Sequence, residues 1–509
     1  MKRRSHLENP LSPCGGEGQG EGEREEGMFF ETASRLISIA LAAMIAGCAV
    51  GPEYERPAAE LPAAWEGAPA RGEKVIGDRW WRLYGDPVLD RLVEAALAHN
   101  QDLAATAARV DEARALLQIA DSALVPSVDA TFQRDRQRSS ERSSMPLPPG
   151  TPLERNNYRA QLNVAYEVDL WGRLSSASDA ARANLLATEA ARQTVRIALT
   201  TDVVRSYFAM LSLDSQVAST ERSLELRTRA YELQKLRNDA GLIDDFTLRQ
   251  LEAEVAAARS QLPALQDRLV AQELALAVLA GRSPRAIVDD SMARGKDGGQ
   301  PTAQVVPEGL PSDLLLRRPD VVEAEQRLIA ANARIGQARA ALFPNIALTG
   351  YLGSESAQLA DLFTNPARIW QLGFGLAQPI FQGGRLRAEV RAVEARQRQA
   401  VAQYQKSLQQ AFREVRQALS TQMRAREVYD SEGTRAIALA EALRLSRIRY
   451  TSGLLSQLDI IDAERNYLQA ELNRADALAA QRTAVADLVK ALGGGWTGLD
   501  PEKVVGAAP

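Results

Sequence analysis

The 509-residue sequence predicts an α+β membrane protein in which each chain contributes four β-strands and several long helices, organised as two internal repeats. Three observations support this fold class. Residues 157–170 alternate between apolar and polar side chains. A succession of helical and strand-like segments recurs at an offset of roughly 215 residues. Two proline-free tracts, about 175–239 and 386–451, have the composition of long helices.

The alternating segment is the clearest local signal. Every second residue from Tyr158 to Leu170 is apolar, and the residues between them include Arg159, Glu167 and Asp169. Because alternate side chains of a strand face opposite sides, one face would be apolar and the other wet. A strand of a soluble sheet also alternates, but it usually has about 5–6 residues, whereas a tilted membrane strand needs about 9–11. The segment therefore favours a membrane β-barrel.

Composition and charge narrow the functional classes. The net charge of −4, with 25% charged residues, does not supply the basic surface of a nucleic-acid binder. No apolar run is long enough for a spanning helix, so strands would have to make any membrane crossing. The only histidines are His6 and His99, and no nucleophile elbow, phosphate loop or zinc-binding motif is present. We therefore expect neither an enzyme nor a cofactor or metal site.

The N-terminus has the pattern of a lipoprotein signal. Residues 1–27 are rich in Gly and Glu and are expected to be a disordered or non-native extension, with Met28 as the true start. Residues 28–47 are predicted to be a signal peptide with a short apolar region. Its end, Ile-Ala-Gly-Cys, resembles a bacterial lipobox, so we expect acylation of Cys48. A plain secretory signal with an incidental cysteine is the alternative.

The internal duplication defines the expected domain organisation. Each copy is predicted to contain a helix, two strands joined by a polar loop, a long helix, a tight turn and a returning helix. The expected segments are an N-terminal stem at 48–87, the first repeat at 88–281, a Pro/Gly-rich linker at 282–317, the second repeat at 318–492 and a C-terminal tail at 493–509.

The two long tracts would each extend for roughly 95–100 Å. Apolar residues at spacings of seven, such as Val217, Leu224 and Tyr231, predict packing against neighbouring helices, as in a generic coiled coil. Each tract is followed by a glycine suited to a left-handed helix terminus and then by an expected N-cap. These turn residues are Gly241, Asp244, Gly453 and Ser456, and Asp459 would complete a capping box with Ser456.

The predicted strands cannot close a barrel within one chain. The two return strands are expected at 158–170 and 369–381, each after a strand that starts beyond a helix-ending proline. A barrel needs about eight strands to enclose a filled interior. In lipid, an open sheet edge costs several kcal/mol for each unpaired backbone group. We therefore expect an oligomer, and three chains would give a twelve-stranded barrel.

Short motifs along residues 48–495 carry a specific family resemblance. They include Gly-Cys-Ala-Val-Gly-Pro-Glu-Tyr from Gly47, Arg-Arg-Pro-Asp from Arg317, Leu-Phe-Pro from Leu342 and the segment from Tyr450 to Arg465. By these motifs the chain resembles the outer membrane efflux factor family (TolC-like), in its lipoprotein branch (NodT-like). The resemblance implies a homotrimer whose twelve-stranded outer-membrane barrel continues as a long helical barrel through the periplasm.

The resemblance also implies a function. Members of this family serve as passive exit ducts of tripartite pumps, with an inner-membrane transporter of the RND type and a periplasmic adaptor protein. We therefore expect a duct for drugs or other small molecules in the outer membrane of a Gram-negative bacterium, lipid-anchored at Cys48. Heavy-metal efflux and type I secretion are alternatives within this class. A structural coiled-coil lipoprotein is a different class, and it would predict no alternating strands.

Two carboxylates after the second turn are the first candidate site residues. Asp459 and Asp462 lie one helical turn apart, which on an arbitrary helix would be a solvated face with Asp459 as a cap. In the family, the matching positions line the periplasmic aperture, where three-fold symmetry would gather six carboxylates. Such a ring favours cations, and its mutual repulsion should raise the carboxyl pKa values. We expect Asp462 to belong to a periplasmic gate, and Asp459 either to join it or to cap the helix.

Three further residues complete the predicted gate. Leu458 matches an apolar constriction in the family. Arg465 could pair with an acid on a neighbouring helix and hold the tip shut, and Tyr450 would reach across from the incoming helix or only pack in the heptad pattern. At the positions that match the two carboxylates, the first turn has Thr247 and Gln250. Only the second turn would therefore supply carboxylate rings.

Overall fold

The computed structural model describes residues 50–58, 77–142, 148, 150–289, 291–294 and 316–506. The proposed extension at 1–27, the signal peptide at 28–47, the lipidation residue Cys48 and most of the 282–317 linker lie outside these residues. None of the helices in the described ranges has both the length and the apolar character needed to cross a membrane.

The two halves of the chain share one order of elements: a helix, two strands, a very long helix and a shorter helix. The helices are α1 (Pro87–His99), α2 (Gln101–Ser122), α3 (Arg173–Asp239), α4 (Asp245–Leu279), α5 (Pro284–Asp289), α6 (Pro319–Ala340), α7 (Arg385–Thr451), α8 (Gln457–Ala491) and α9 (Pro501–Gly506). The strands are β1 (Ser127–Arg138), β2 (Glu154–Val168), β3 (Asn345–Ser356) and β4 (Arg368–Ala377).

Corresponding elements of the two halves have nearly the same lengths. α2 and α6 each have 22 residues, α3 and α7 each have 67, and α4 and α8 each have 35. The return strands end earlier than predicted. β2 stops at Val168 because the Asp169 carboxylate turns to accept the Leu174 N–H, at 3.0 Å, in the first turn of α3. β4 stops at Ala377 because Pro379 has no N–H to extend the ladder.

The four strands form one antiparallel sheet in chain order, so β1 and β4 are its edges. Even-numbered side chains share one face, which is apolar across the middle of all four strands and exposed; Trp370 and Leu372 are 72% and 82% exposed. Odd-numbered side chains form a polar face, on which Asn157 and Arg159 each donate to Glu355 at 2.8 Å. The predicted alternation between an apolar and a polar face is confirmed.

The chain divides into two compact units. Among the described residues, the sheet unit comprises 50–51, 124–175 and 336–386, and the helical unit comprises 52–123, 176–335 and 387–506, apart from the gaps given above. In the helical unit, a buried apolar core forms around Trp80 and Trp81, which begin a 3-10 helix, together with side chains of α1, α3 and α8. The Tyr84 hydroxyl donates to the Arg482 carbonyl oxygen at 2.7 Å, so this aromatic segment is held against α8.

Matching polar contacts fasten the end of each returning helix. The Asn100 side chain, just before α2, donates to the carbonyl oxygen of Leu279 at the end of α4, at 3.1 Å. The Arg318 guanidinium, just before α6, donates to the carbonyl oxygen of Ala491 at the end of α8, at 2.8 Å. Arg318 is buried and also pairs with Glu414 of α7 at 2.7 Å. An amide makes this connection in the first half, and a guanidinium makes it in the second.

Candidate functional site

The candidate site lies where the long helices turn back. We call α3, its turn and α4 the first hairpin, and α7, its turn and α8 the second hairpin. The predicted turn glycines, Gly241 and Gly453, have φ values of 71° and 74°, which an L side chain rarely adopts. In both turns the N–H after the glycine bonds a carbonyl oxygen of the last helical turn at 2.8 Å. The predicted left-handed helix termini are confirmed.

The returning helices start with the predicted caps. The Asp244 carboxylate accepts the Thr247 N–H at 2.7 Å. Ser456 and Asp459 form a complete capping box, in which the Ser456 N–H and hydroxyl donate to the Asp459 carboxylate at 2.8 and 2.7 Å. The Ser456 hydroxyl and N–H lower the pKa of the Asp459 carboxyl. Within one chain, therefore, the cap stabilises the charged form of Asp459. The raised pKa expected for a three-fold carboxylate ring concerns an assembly of three chains and stays a prediction.

Asp462 and Arg465 lie on the first turns of α8. The Asp462 carboxylate is 70% exposed and lies 3.7 Å from the Arg465 guanidinium. Arg465 also forms a hydrogen-bonded ion pair with Glu254 of α4, and this carboxylate raises the Arg465 pKa. The predicted pairing of Arg465 with an acid on a neighbouring helix is confirmed. The acid belongs to the first hairpin, so this pair connects the two hairpins of one chain.

Glu254 holds a second guanidinium that the sequence did not predict. Arg227 of α3 donates to it at 2.9 Å, and the two side chains are only 9% and 16% exposed. A pair so withdrawn from solvent is screened much less than a surface pair. Arg227 belongs to a row of buried polar residues at spacings of seven, with Thr220 and Gln234. This row of polar residues is the feature of the sequence that could have predicted the contact. The apolar residues predicted at the neighbouring heptad positions are only half-buried.

Tyr450 makes a second connection between the hairpins. The Gln234 side-chain amide of α3 donates to the Tyr450 hydroxyl at 2.8 Å and to the Gln457 side-chain oxygen at 3.3 Å. Tyr450 therefore reaches from α7 to the first hairpin, as predicted. Gln234 is buried, and its role was not predicted from the sequence.

Apolar side chains are exposed at both turns. Leu458, the predicted constriction residue, is 40% exposed, and Leu454 in the preceding turn is exposed as well. Leu242 and Phe246 occupy the matching places in the first hairpin and are also exposed. Of these four residues, only Leu458 was predicted from the sequence. The recurrence of an apolar pair at each turn could have predicted Leu242, Phe246 and Leu454 as well.

These side chains hold helices together or cap them. Carboxylates are paired with guanidinium groups, a tyrosine hydroxyl is paired with an amide, and a serine caps a helix. Among the described residues, no group of three or more His, Cys, Asp and Glu side chains could hold a metal ion.

Comparison with known proteins identifies the family. A sequence profile for outer membrane efflux proteins matches residues 92–282 and 310–494. The chain belongs to the outer membrane efflux protein family. Outer membrane protein OprJ of Pseudomonas aeruginosa is 36% identical over 479 residues, covering 92% of this chain and 96% of OprJ. The probable efflux pump outer membrane protein TtgC of Pseudomonas putida is 34% identical over 470 residues, covering 91% and 96%. The probable outer membrane lipoprotein SilC of Salmonella typhimurium is 32% identical over 467 residues, covering 91% and 99%.

Solved structures agree with this assignment. The outer membrane channel CmeC of Campylobacter jejuni has a TM-score of 0.83 at 24% identity, covering 90% of this chain and 97% of CmeC, and so shares the fold. The open state of the outer membrane channel MtrE of Neisseria gonorrhoeae has a TM-score of 0.77 at 30% identity, covering 88% and 98%. The resemblance seen in the sequence is confirmed. This efflux protein is an outer membrane transport channel.

Proposed function

We propose that three copies of this efflux protein form the outer-membrane exit duct of a tripartite pump. The observation that carries the proposal is the sheet, which exposes an apolar face and ends in two edges, β1 and β4. Four strands cannot close a barrel, and an unpaired edge in lipid costs several kcal/mol for each backbone group. Pairing the β4 edge of one chain with the β1 edge of the next removes both edges. Three chains of four strands then give the twelve-stranded barrel.

The long helices supply the periplasmic part of the proposed duct. α3 and α7 each have 67 residues, which corresponds to roughly 100 Å of helix. Nearly equal element lengths and the matching contacts of Asn100 and Arg318 support an internal duplication with repeats at 88–281 and 318–492. Each chain would then contribute two similar hairpins to a helical barrel, as the family resemblance implies.

The second hairpin carries the proposed periplasmic gate. It is attached to the first hairpin through the Arg465–Glu254 pair and the Tyr450–Gln234 hydrogen bond. Because Asp459 is engaged in its cap, we assign the three-fold carboxylate ring to Asp462 alone, with Leu458 as the apolar constriction beside it. Loss of either attachment would free α8 to move away from the axis and widen the aperture.

The segment that follows Cys48 supports a lipid anchor near the strands. The Arg56 guanidinium binds Glu325 of α6 with hydrogen bonds of 2.6 and 3.0 Å. Asn332 donates to the Pro52 carbonyl oxygen at 2.8 Å, and a Cβ added at Gly51 would lie 3.0 Å from the Cα of Gly336. The segment thus follows α6 towards β3 in extended form. We propose that Cys48, three residues before Gly51 in the sequence, carries the lipid anchor.

The partners of the proposed duct are a periplasmic adaptor and an inner-membrane transporter of the RND type. The exposed apolar pairs at the two turns, Leu242 with Phe246 and Leu454 with Leu458, provide surfaces to which an adaptor can bind. We propose drugs and other small molecules as the exported class, since OprJ and TtgC, both outer membrane proteins, align over nearly the whole chain and TtgC is named for an efflux pump.

The proposal is tested by placing one charge on either face of β4. Leu372 and Gln371 are neighbours on opposite faces of the strand. We expect Leu372→Arg to lose about 2–4 kcal/mol of stability in lipid and to assemble poorly, whereas Gln371→Arg, facing the aqueous lumen, should still form trimers. Light scattering of the detergent-extracted protein gives the trimer fraction, and planar bilayers give the conductance. Equal assembly of both variants, or a water-soluble single chain without detergent, would overturn the duct.

A further inference from the structure

The apolar face of the sheet ends in a row of arginines at one end only. Along β1 the even-numbered side chains are Val128, Ala130 and Phe132, followed by Arg134, Arg136 and Arg138 at the end that leads into the β1–β2 loop. All of these side chains are exposed. With about 3.4 Å per residue, the three guanidinium-bearing positions span roughly 13 Å just beyond the apolar band.

The arginines on this face outnumber the acids. Arg134 stacks over the Tyr158 ring at 5.6 Å, and Arg136 pairs with Glu154 at 2.7 Å, which also lies 4.0 Å from Arg138. Arg368, at the start of β4, lies on the same face and pairs in register with Ser354. Four arginines therefore face one glutamate.

The opposite face at the same end has no such excess. There the odd-numbered side chains include Arg155, Arg159, Asp135 and Glu355, so two positive charges meet two negative charges. Arg159 is held by Glu355. The positive excess therefore belongs to the apolar face, not to the loop end as a whole.

We propose that this arginine row binds the phosphate groups of the phosphorylated glycolipid in the outer leaflet. The proposal rests on the proposed function, in which the apolar face meets lipid and the strand ends at the β1–β2 loop reach the outer leaflet. A guanidinium group offers a planar pair of donors that matches phosphate oxygens, and the alternating positions direct all three forks into the headgroup layer above the acyl chains. In the trimer, the β4 edge of the next chain adds its Arg368 to the same row.

The test compares lipid binding by the detergent-solubilised trimer and by variants of it. The variant R134Q/R136Q/R138Q removes the row, and R155Q/R159Q removes charge from the opposite face, with R155Q alone as a milder control. We expect purified lipid A to bind about tenfold more weakly to the first variant than to the wild type. Dephosphorylated lipid A should bind the wild type as weakly as lipid A binds that variant, and the opposite-face controls should bind lipid A normally. R134K/R136K/R138K should lie between the wild type and the glutamine variant, because lysine keeps the charge but loses the fork.

Each negative result contradicts a different part of the proposal. Equal lipid A affinity of wild type and the triple glutamine variant overturns the inference, as does equal affinity for dephosphorylated lipid A. Binding of phosphatidylglycerol as tight as that of lipid A overturns the assignment to a glycolipid. Planar-bilayer conductance of every variant is measured in parallel, because a wild type without conductance contradicts the duct itself. Normal conductance with unchanged lipid binding contradicts only the arginine row.

Discussion

The two hairpins have nearly the same length and turn geometry, yet their side chains are used differently. Three residues before the turn glycine, the first hairpin has Asn238, whose amide donates to the Ile243 carbonyl oxygen and to Asp245, each at 3.1 Å. These contacts stay within its own turn. At the same place the second hairpin has Tyr450, whose hydroxyl accepts a hydrogen bond from Gln234 of the first hairpin.

A similar contrast appears within the first three turns of the returning helices. Arg249 of the first hairpin pairs with Glu252 of its own helix at 2.6 Å. Arg465 of the second hairpin pairs with Glu254 of the first. The first hairpin therefore supplies fixed partners, and the second is positioned by contacts that it makes outside itself. A movement at the turn of the second hairpin would break the contacts of Tyr450 and Arg465 with the first hairpin, whereas the contacts of Asn238 and Arg249 lie within the first hairpin itself.

The largest effect is expected from Glu254→Gln. This change leaves the buried Arg227 guanidinium without a counter-charge and releases Arg465 at the same time. Removing one partner of a buried ion pair typically costs 3–5 kcal/mol, so we expect roughly 3 kcal/mol of lost stability and a higher resting conductance in planar bilayers. Glu252→Gln is the matched control, since Glu252 is exposed and its ion pair among the described residues is with Arg249 of the same helix. If both variants conduct like the wild type, the first hairpin does not hold the second.

A contact between residues that are close in the sequence can be predicted from the sequence, whereas a contact between distant helices is much harder to predict. The alternating faces of β2, the glycine termini and the N-caps of Asp244 and Ser456 follow from neighbours along the chain, and all were predicted. The partnership of Arg227 and Glu254 depends on which faces of three helices meet. No local sequence pattern determines which helix faces meet, although the row of polar residues at spacings of seven includes Arg227.

Asp459 shows the other limit of sequence reasoning. A capping box and a carboxylate ring both require an acid at this position, so residue type and spacing cannot separate them. The rotamer decides, because the carboxylate turns back to the Ser456 N–H and hydroxyl. Asp462 has no such partner on its own turn beyond the Arg465 guanidinium at 3.7 Å.

An intermediate effect is expected from Asp462→Ala and Arg465→Ala. Arg465→Ala removes the exposed partner of Glu254, Asp462→Ala removes the carboxylate 3.7 Å from the Arg465 guanidinium, and both leave the Arg227–Glu254 pair intact. Exposed ion pairs contribute about 0.2–1 kcal/mol, so we expect an increase of about two- to fivefold in the open population, read as single-channel conductance. Asp462→Ala should also reduce cation selectivity. Gln250→Ala, at the matching position of the first hairpin, should change neither property. Unchanged conductance in both test variants would remove the gate assignment.

The smallest effect concerns the cap of α8 and its dependence on pH. The folded pKa of Asp459 is lowered by Ser456, so the cap stabilises α8 fully above the ordinary carboxyl pKa of about 3.9 and loses this contribution as the pH falls through the lower, folded value. Hydrogen exchange in the first turn of α8 should therefore show constant protection between pH 7 and pH 5 and a loss below about pH 4.

Ser456→Ala sharpens this prediction within the same molecule. It removes the hydroxyl that lowers the Asp459 pKa, so the loss of protection at the start of α8 should begin at a higher pH than in the wild type. The start of α4, capped by Asp244, is the internal control and should not change, because its cap uses the Thr247 N–H of its own helix. Conductance should change less than in Asp462→Ala, since Ser456→Ala keeps both carboxylates and the backbone N–H of residue 456 that bonds Asp459. A conductance change as large as that of Asp462→Ala would return Asp459 to the gate.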